Sequence, residues 1–108
     1  MINVVICRVT RYNPVMIKTF ACKETRALFC DGGSKKIPVD IQARALRKLD
    51  MIDAAHEVSD LRVPPGNRLH VLAGDRFGQH SVSINDQWRI CFRFCGHDAY
   101  DVEICDYH

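Results

Sequence analysis

Trp88-Arg89-Ile90-Cys91-Phe92-Arg93-Phe94 is the stretch on which the fold turns. Successive side chains of a strand point to opposite faces of its sheet. Trp88, Ile90, Phe92 and Phe94 therefore make one apolar face, and Arg89, Cys91 and Arg93 make the other. The first face calls for a core; the second carries arginines away from it. Asn85-Asp86 turns the chain before this strand, and Cys95-Gly96-His97-Asp98 turns it afterwards. The period of two recurs on both sides. Leu69-His70-Val71-Leu72, closed by Ala73-Gly74-Asp75, reads as a strand, as do residues 79–84. Ala99-Tyr100-Asp101-Val102-Glu103-Ile104-Cys105 supplies the last strand of an antiparallel meander.

Further upstream the period changes. Residues 23–29 read as a helix around Thr25-Arg26-Ala27-Leu28-Phe29, stopped by Asp31-Gly32-Gly33. Ser34-Lys35-Lys36 is a basic loop. A second helix is expected to start at Pro38, a good first-turn residue, and to run to about Ala55. Ile41, Ala45, Leu46, Leu49 and Ile52 recur on it at helical spacing, and Gln42, Arg44, Arg47, Lys48 and Asp50 form its solvated face. Residues 58–61 suit a short helical turn, and Val63-Pro64-Pro65-Gly66-Asn67 a stiff loop that no helix crosses. Residues 17–20 fit a short strand. The order β-α-α-β-β-β-β predicts an α+β domain, with two N-terminal helices packed on one face of a mainly antiparallel sheet of four to five strands. Asn13-Pro14 is a breaker. Residues 1–15 are either an extra strand over residues 3–9 or an extension outside the fold. The extension is the preferred reading, with residues 16–108 as the single domain.

The 108 residues, 47% hydrophobic and 26% charged, have ordinary globular composition for one domain. No apolar run approaches the ~20 residues that span a bilayer. Residues 1–7 lack the basic segment and cleavage site of a signal peptide, so a cytoplasmic protein without membrane partners is expected. The net charge of +2 names no partner. Arg62, Arg68, Arg76, Arg89 and Arg93 do gather in the second half beside His70, His80, His97 and His108. Arginine suits phosphate because its planar fork donates paired hydrogen bonds. A set of solvated strand-edge charges accounts for the same distribution.

The six cysteines, Cys7, Cys22, Cys30, Cys91, Cys95 and Cys105, read as small hydrophobes in a reducing compartment. Cys91, Cys95, Cys105 and His108 can be imagined around zinc, but no C-x-x-C pair accompanies them. No metal or other cofactor is expected.

The chain closes on Asp106-Tyr107-His108, directly after the last strand. Termini fray unless something ties them down, and a paired strand would do so. Histidine titrates near neutrality, so an imidazole next to a carboxylate suits proton transfer. His70 on the first meander strand, His108 at the end and Arg89 between them are the parts that metal-free RNA cleavage needs. One group takes the proton of the ribose 2′-hydroxyl, arginine stabilises the phosphate in the transition state, and another group protonates the leaving 5′-oxygen. Each part also has an ordinary structural role. His70 suits a half-buried strand histidine, and Arg89 a structural pair with Asp75 or Asp106. Tyr107 suits a cover for the core edge, and Gly74-Asp75-Arg76 a plain turn.

Four blocks carry a resemblance: Met16-Ile17-Lys18-Thr19-Phe20, Leu69-His70-Val71-Leu72-Ala73-Gly74-Asp75-Arg76, Ser81-Val82-Ser83-Ile84-Asn85-Asp86-Gln87-Trp88-Arg89-Ile90, and Asp98-Ala99-Tyr100 with Asp106-Tyr107-His108. Together, in this order, they resemble the HigB toxins of the RelE/ParE superfamily of bacterial toxin–antitoxin systems. The resemblance implies a RelE-like fold and a metal-independent endoribonuclease that cleaves messenger RNA on the translating ribosome. It implies a cognate HigA-like antitoxin with a helix-turn-helix, through which alone operator DNA is bound. By position it assigns catalysis to His70, Arg89, Asp106, Tyr107 and His108: Asp106 and His108 for proton transfer, His70 as a second acid–base or positioning group. Arg89 would hold the scissile phosphate and Tyr107 would stack on a base. Arg68, Arg76 and Arg93 are the expected RNA-binding residues. The family commonly has a lysine where this chain has Ala73, and Arg76 or Arg68 are the candidates to replace it. A gyrase-directed toxin like ParE, and a non-catalytic corepressor that only binds antitoxin, are the alternatives.

Overall fold

A computed structural model describes residues 17–106. The expected extension over residues 1–15, with Tyr107 and His108, lies outside the described residues. Helix α1 (Lys23–Asp31) runs two residues beyond its expected last turn. It stops where Gly32 takes φ +84° and its N–H closes on the Leu28 carbonyl at 2.9 Å. A side chain at such a φ is strained, so glycine is the natural cap. Helix α2 (Val39–Ala54) starts one residue after Pro38, whose ψ of 132° keeps it out of the helix as the cap. Its stripe of Ile41, Ala45, Leu49 and Ile52 is buried as the spacing predicts.

Two 3-10 turns follow. Val58–Arg62 is capped through Asp60, whose Oδ2 accepts the N–H groups of His56 at 3.0 Å and Glu57 at 3.1 Å. Pro65–Asn67 ends on a fully buried Asn67. The Asn67 amide donates to the Leu61 carbonyl at 3.1 Å while its oxygen receives the Lys48 ammonium. The proline-rich loop is thereby pinned beneath α2.

Strands β1 (His70–Val71), β2 (His80–Ser83), β3 (Trp88–Cys95) and β4 (Asp98–Asp106) form one antiparallel sheet in the order β1-β2-β3-β4. β1 is shorter than expected because Gly74–Arg76 coils into a 3-10 turn. Pairing beyond it continues only through the Leu72 N–H on the Gln79 carbonyl, at 2.8 Å.

Residues 17–20 do not form the expected continuous strand. They touch β4 at two isolated parallel bridges, Ile17 to Ala99 and Phe20 to Val102. Between these points Asp101 takes φ +55°, and its N–H goes to the Thr19 hydroxyl at 2.8 Å instead of to backbone. A left-handed residue interrupts a regular ladder, so the pairing splits into two pieces.

Ile17, Leu28, Phe29, Leu49 and Ile52 share one core cluster with Val82, Ile90, Phe92 and Val102 of the sheet. Trp88 and Phe94 pack against it. The face read from alternation in β3 is therefore the core face, and α2 packs against β3 and β4. Two buried polar groups tie the layers. Asp53 accepts the Ile17 N–H at 3.1 Å, and Thr25 accepts the Ile104 N–H at 3.0 Å. Thr25→Val keeps the shape and removes the acceptor. It is expected to cost about 1–3 kcal/mol in urea unfolding, with Thr25→Ser largely restoring stability. An unchanged midpoint for the valine variant would show that this tie contributes nothing. Among the described residues no helix is long and apolar enough to cross a membrane.

Candidate active site on the open face of the sheet

The register decides which polar residues meet. His70 pairs with Ser81, Ser81 with Cys91, and Cys91 with Glu103. Ser83 pairs with Arg89, and Arg89 with Cys105. Directly opposed residues share a face, so these are two adjacent rows on the side turned away from Ile90 and Phe92. Beside them opens a cleft of about 190 Å³ lined by Leu72, Arg76, Arg89, Cys91, Cys105 and Asp106.

Arg89 is half-buried, and its Nη1 donates to the buried Ser81 Oγ at 2.7 Å. That bond orients the guanidinium along the sheet. Arg76 enters from the Gly74–Arg76 turn. It donates to Gln79 Oε1 at 3.0 Å, and both terminal nitrogens lie 3.3 Å from Glu103 Oε1. Two guanidinium groups, those of Arg76 and Arg89, thus line one small cleft together with the Asp106 carboxylate, and Glu103 holds Arg76. A guanidinium suits a phosphate oxygen, which it can meet with paired hydrogen bonds.

Asp106 ends β4 opposite Trp88. Its Oδ2 accepts from Gln87 Nε2 at 3.1 Å while the residue lines the cleft. Tyr107 and His108 follow immediately in sequence. His70 is exposed on the edge strand, in the row that contains Cys91. The cleft therefore unites Arg89, Arg76 and Asp106, with His70 on the same sheet face. Arg68 and Arg93 do not line it. Arg68 is exposed at φ +47° after the second 3-10 turn. Arg93 lies past a register shift in β3, pairs with Asp101 at 3.4 Å and covers Gly78. His80 belongs to the other face: its ring lies 5.9 Å from that of Phe92, its Nδ1 is buried without a partner, and burial lowers its pKa.

Cys91 and Cys105, which the sequence offered together only as members of an imagined zinc set, both line the cleft. Cys91 and Cys105 are both free. The hydrogen bond from Cys105 lowers the Cys91 pKa to about 7; burial opposes this, and Arg76 and Arg89 assist. The same hydrogen bond, with burial, pushes Cys105 well above the ordinary thiol range. Spacing of two residues from Arg89 places Cys91 on the arginine face, but only the register brings Cys105 to it. Cys95 is exposed at the far end of β3. Among the described residues no three metal-ligating side chains come together.

The family model for the RelE-like toxin of type II toxin–antitoxin system HigB matches residues 18–108. The chain is 38% identical over 93 residues to the Endoribonuclease HigB of Proteus vulgaris, covering 86% of this chain and 100% of that protein. It is 42% identical over 64 residues to Toxin HigB-1 of Vibrio cholerae serotype O1, covering 59% of this chain and 67% of that protein. The chain belongs to the HigB-like family of RelE-like toxins of type II toxin–antitoxin systems.

Proposed function

We propose that this chain is a metal-independent endoribonuclease that cleaves messenger RNA on the translating ribosome, with the cleft of the open sheet face as its active site. The observation that carries the reading is the convergence of Arg89 and Arg76 with Asp106, one residue before Tyr107-His108, in a single anion-receptive cleft. The name of the Proteus vulgaris relative supports the activity.

The substrate supplies its own nucleophile. His108, two residues after Asp106, takes the proton of the ribose 2′-hydroxyl as that oxygen attacks the phosphorus. Arg89 holds a non-bridging phosphate oxygen and stabilises the charge that grows on it. His70 returns a proton to the leaving 5′-oxygen or positions the phosphate for that step. Tyr107 stacks on a flanking base. Arg76 lines the cleft from the turn that begins just after Ala73, and so replaces the phosphate contact of the family's lysine.

A net charge of +2 neutralises few phosphates, so free RNA binds weakly. The ribosome supplies the positioning. A helix-turn-helix antitoxin of the HigA kind covers the toxin and carries operator DNA recognition. The protein acts in the cytoplasm.

His108→Gln removes the proton carrier and keeps the size and polarity. It is expected to reduce cleavage on programmed ribosomes by about 10²–10⁴-fold. Full cleavage, or full growth arrest, by a folded His108→Gln protein would remove the catalytic assignment and favour a gyrase-directed toxin.

A further inference from the structure

We propose that Glu103 sets the toxin's preference for RNA presented by the ribosome over free RNA: its carboxylate occupies Arg76 in place of a phosphate, and a substrate phosphate has to displace it. The consequence for cleavage rests on the ribonuclease reading; the exchange of anions at Arg76 does not.

Glu103 stands on β4 directly opposite Cys91, in the row of the open face that also holds Ser81 and His70. Arg76 reaches it from the Gly74–Arg76 turn, across 27 residues of sequence. Nη1 and Nη2 both lie 3.3 Å from the same oxygen, Glu103 Oε1, and Nη1 also donates to Gln79 Oε1 at 3.0 Å. Arg76 lines the cleft, while Glu103 stands outside the lining. The acid therefore acts on the site through the arginine, as a positioning residue.

The contact is built to be exchanged. Both side chains keep solvent access, 40% for Arg76 and 31% for Glu103. Both nitrogen–oxygen distances exceed the roughly 2.7–2.9 Å of a tight charge-assisted hydrogen bond. An ion pair this exposed and this long contributes little to folding. A phosphodiester oxygen offers Arg76 the same charge and can take the same place.

The exchange has a cost. While the pair is intact, the carboxylate cancels the charge that draws in a phosphate. Once displaced, it stays tethered beside that phosphate and repels it. A tethered competitor acts at a high effective concentration, which RNA free in solution has to overcome. A message already placed by the ribosome overcomes it more easily, because it too is held at the site. Selectivity then comes from a repulsive element and not from an added contact. A second acid of the same strand, Asp101, holds Arg93 at 3.4 Å, but that pair stands outside the cleft. It supplies a charge-matched control.

The test uses the full chain and a short single-stranded oligoribonucleotide that is 2′-O-methylated throughout, so that binding is read without cleavage. Glu103→Gln keeps the shape and an acceptor oxygen for Arg76, and it removes the charge. It is expected to bind the oligonucleotide about fivefold more tightly at about 0.1 M salt. Its plot of log affinity against log salt should be steeper by about 0.7, the increment for one further phosphate neutralised on a single strand. Asp101→Asn makes the same charge change outside the cleft and should fall well short of that gain. Glu103→Gln combined with Arg76→Gln should bind no more tightly than the wild type. Glu103→Gln should also raise kcat/KM on free RNA, relative to that on programmed ribosomes, by a similar factor. Glu103→Ala should shift binding in the same direction, and urea unfolding checks that each variant folds. Unchanged affinity and slope for Glu103→Gln would overturn the proposal. So would an equal gain from Asp101→Asn, the mark of a general effect of net charge, or a gain that survives the loss of Arg76. Tighter binding by Glu103→Gln, with no cleavage by any form of the protein, would defeat the ribonuclease reading and leave the anion exchange at Arg76 standing.

Discussion

Arg89→Ala is expected to slow messenger-RNA cleavage by about 10²–10³-fold on programmed ribosomes, with the toxin still folded and still held by its antitoxin. In the proposed mechanism the phosphate gains charge as the 2′-oxygen adds, and a guanidinium that Ser81 anchors at 2.7 Å would meet that charge without reorganising. Arg89→Lys keeps one positive charge and loses the planar fork, so it should recover only part of the rate. On the proposed reading the loss belongs in kcat, with ribosomal contacts supplying most of the binding. Ser81→Ala leaves the charge in place but frees the guanidinium from its anchor; a smaller loss of the same kind is expected. If Arg89→Ala cleaves at the wild-type rate, the phosphate is held elsewhere and the cleft is not the site.

Phe92→Ala is the second large effect, and it acts on stability. Phe92 is fully buried, the largest side chain in the centre of β3, with the His80 ring 5.9 Å and the Phe94 ring 6.4 Å away. Truncation removes apolar burial and leaves a cavity between the sheet and α2. A loss of about 3–5 kcal/mol is expected in urea unfolding. A domain of this size holds only about 5–15 kcal/mol in all, so this loss is a large share of the total. Phe92→Leu keeps much of the volume and should lose far less. Equal losses for alanine and leucine would show that volume at this position does not set stability.

The same strand shows how much of the fold was legible. Trp88 to Phe94 alternates because one face meets a core and the other does not, and that asymmetry is local. Helix α2 and the Gly32 cap were legible for the same reason: a spacing, and a φ that glycine tolerates, are written within a few residues. Residues 17–20 were not. Their contacts depend on Asp101, some eighty residues away, turning into the left-handed region and handing its N–H to Thr19. No pattern in Ile17-Lys18-Thr19-Phe20 carries that information.

The candidate site divides in the same way. Arg89 could be singled out because it sits opposite the aromatic face of its own strand, and Asp106 because a strand leads into it. Arg93 has the same local credentials as Arg89, yet the register shift after Cys91 and the pair with Asp101 carry it elsewhere. The meeting of Arg76 with Glu103, and of Cys91 with Cys105, depends on how β3 and β4 are aligned. Alternation tells which face a residue takes; it does not tell which residue stands opposite.

The proposed mechanism requires the substrate's own 2′-hydroxyl, and this sets the most direct measurement. A messenger RNA is translated by purified ribosomes with the toxin, and its cleavage position is mapped. The same message is then prepared with a single 2′-deoxynucleotide on the 5′ side of that position. The account predicts a 2′,3′-cyclic phosphate and a 5′-hydroxyl at the cut in the first message, and no cut at that position in the second. Cleavage that persists at the 2′-deoxy position, or that leaves a 5′-phosphate, would contradict it.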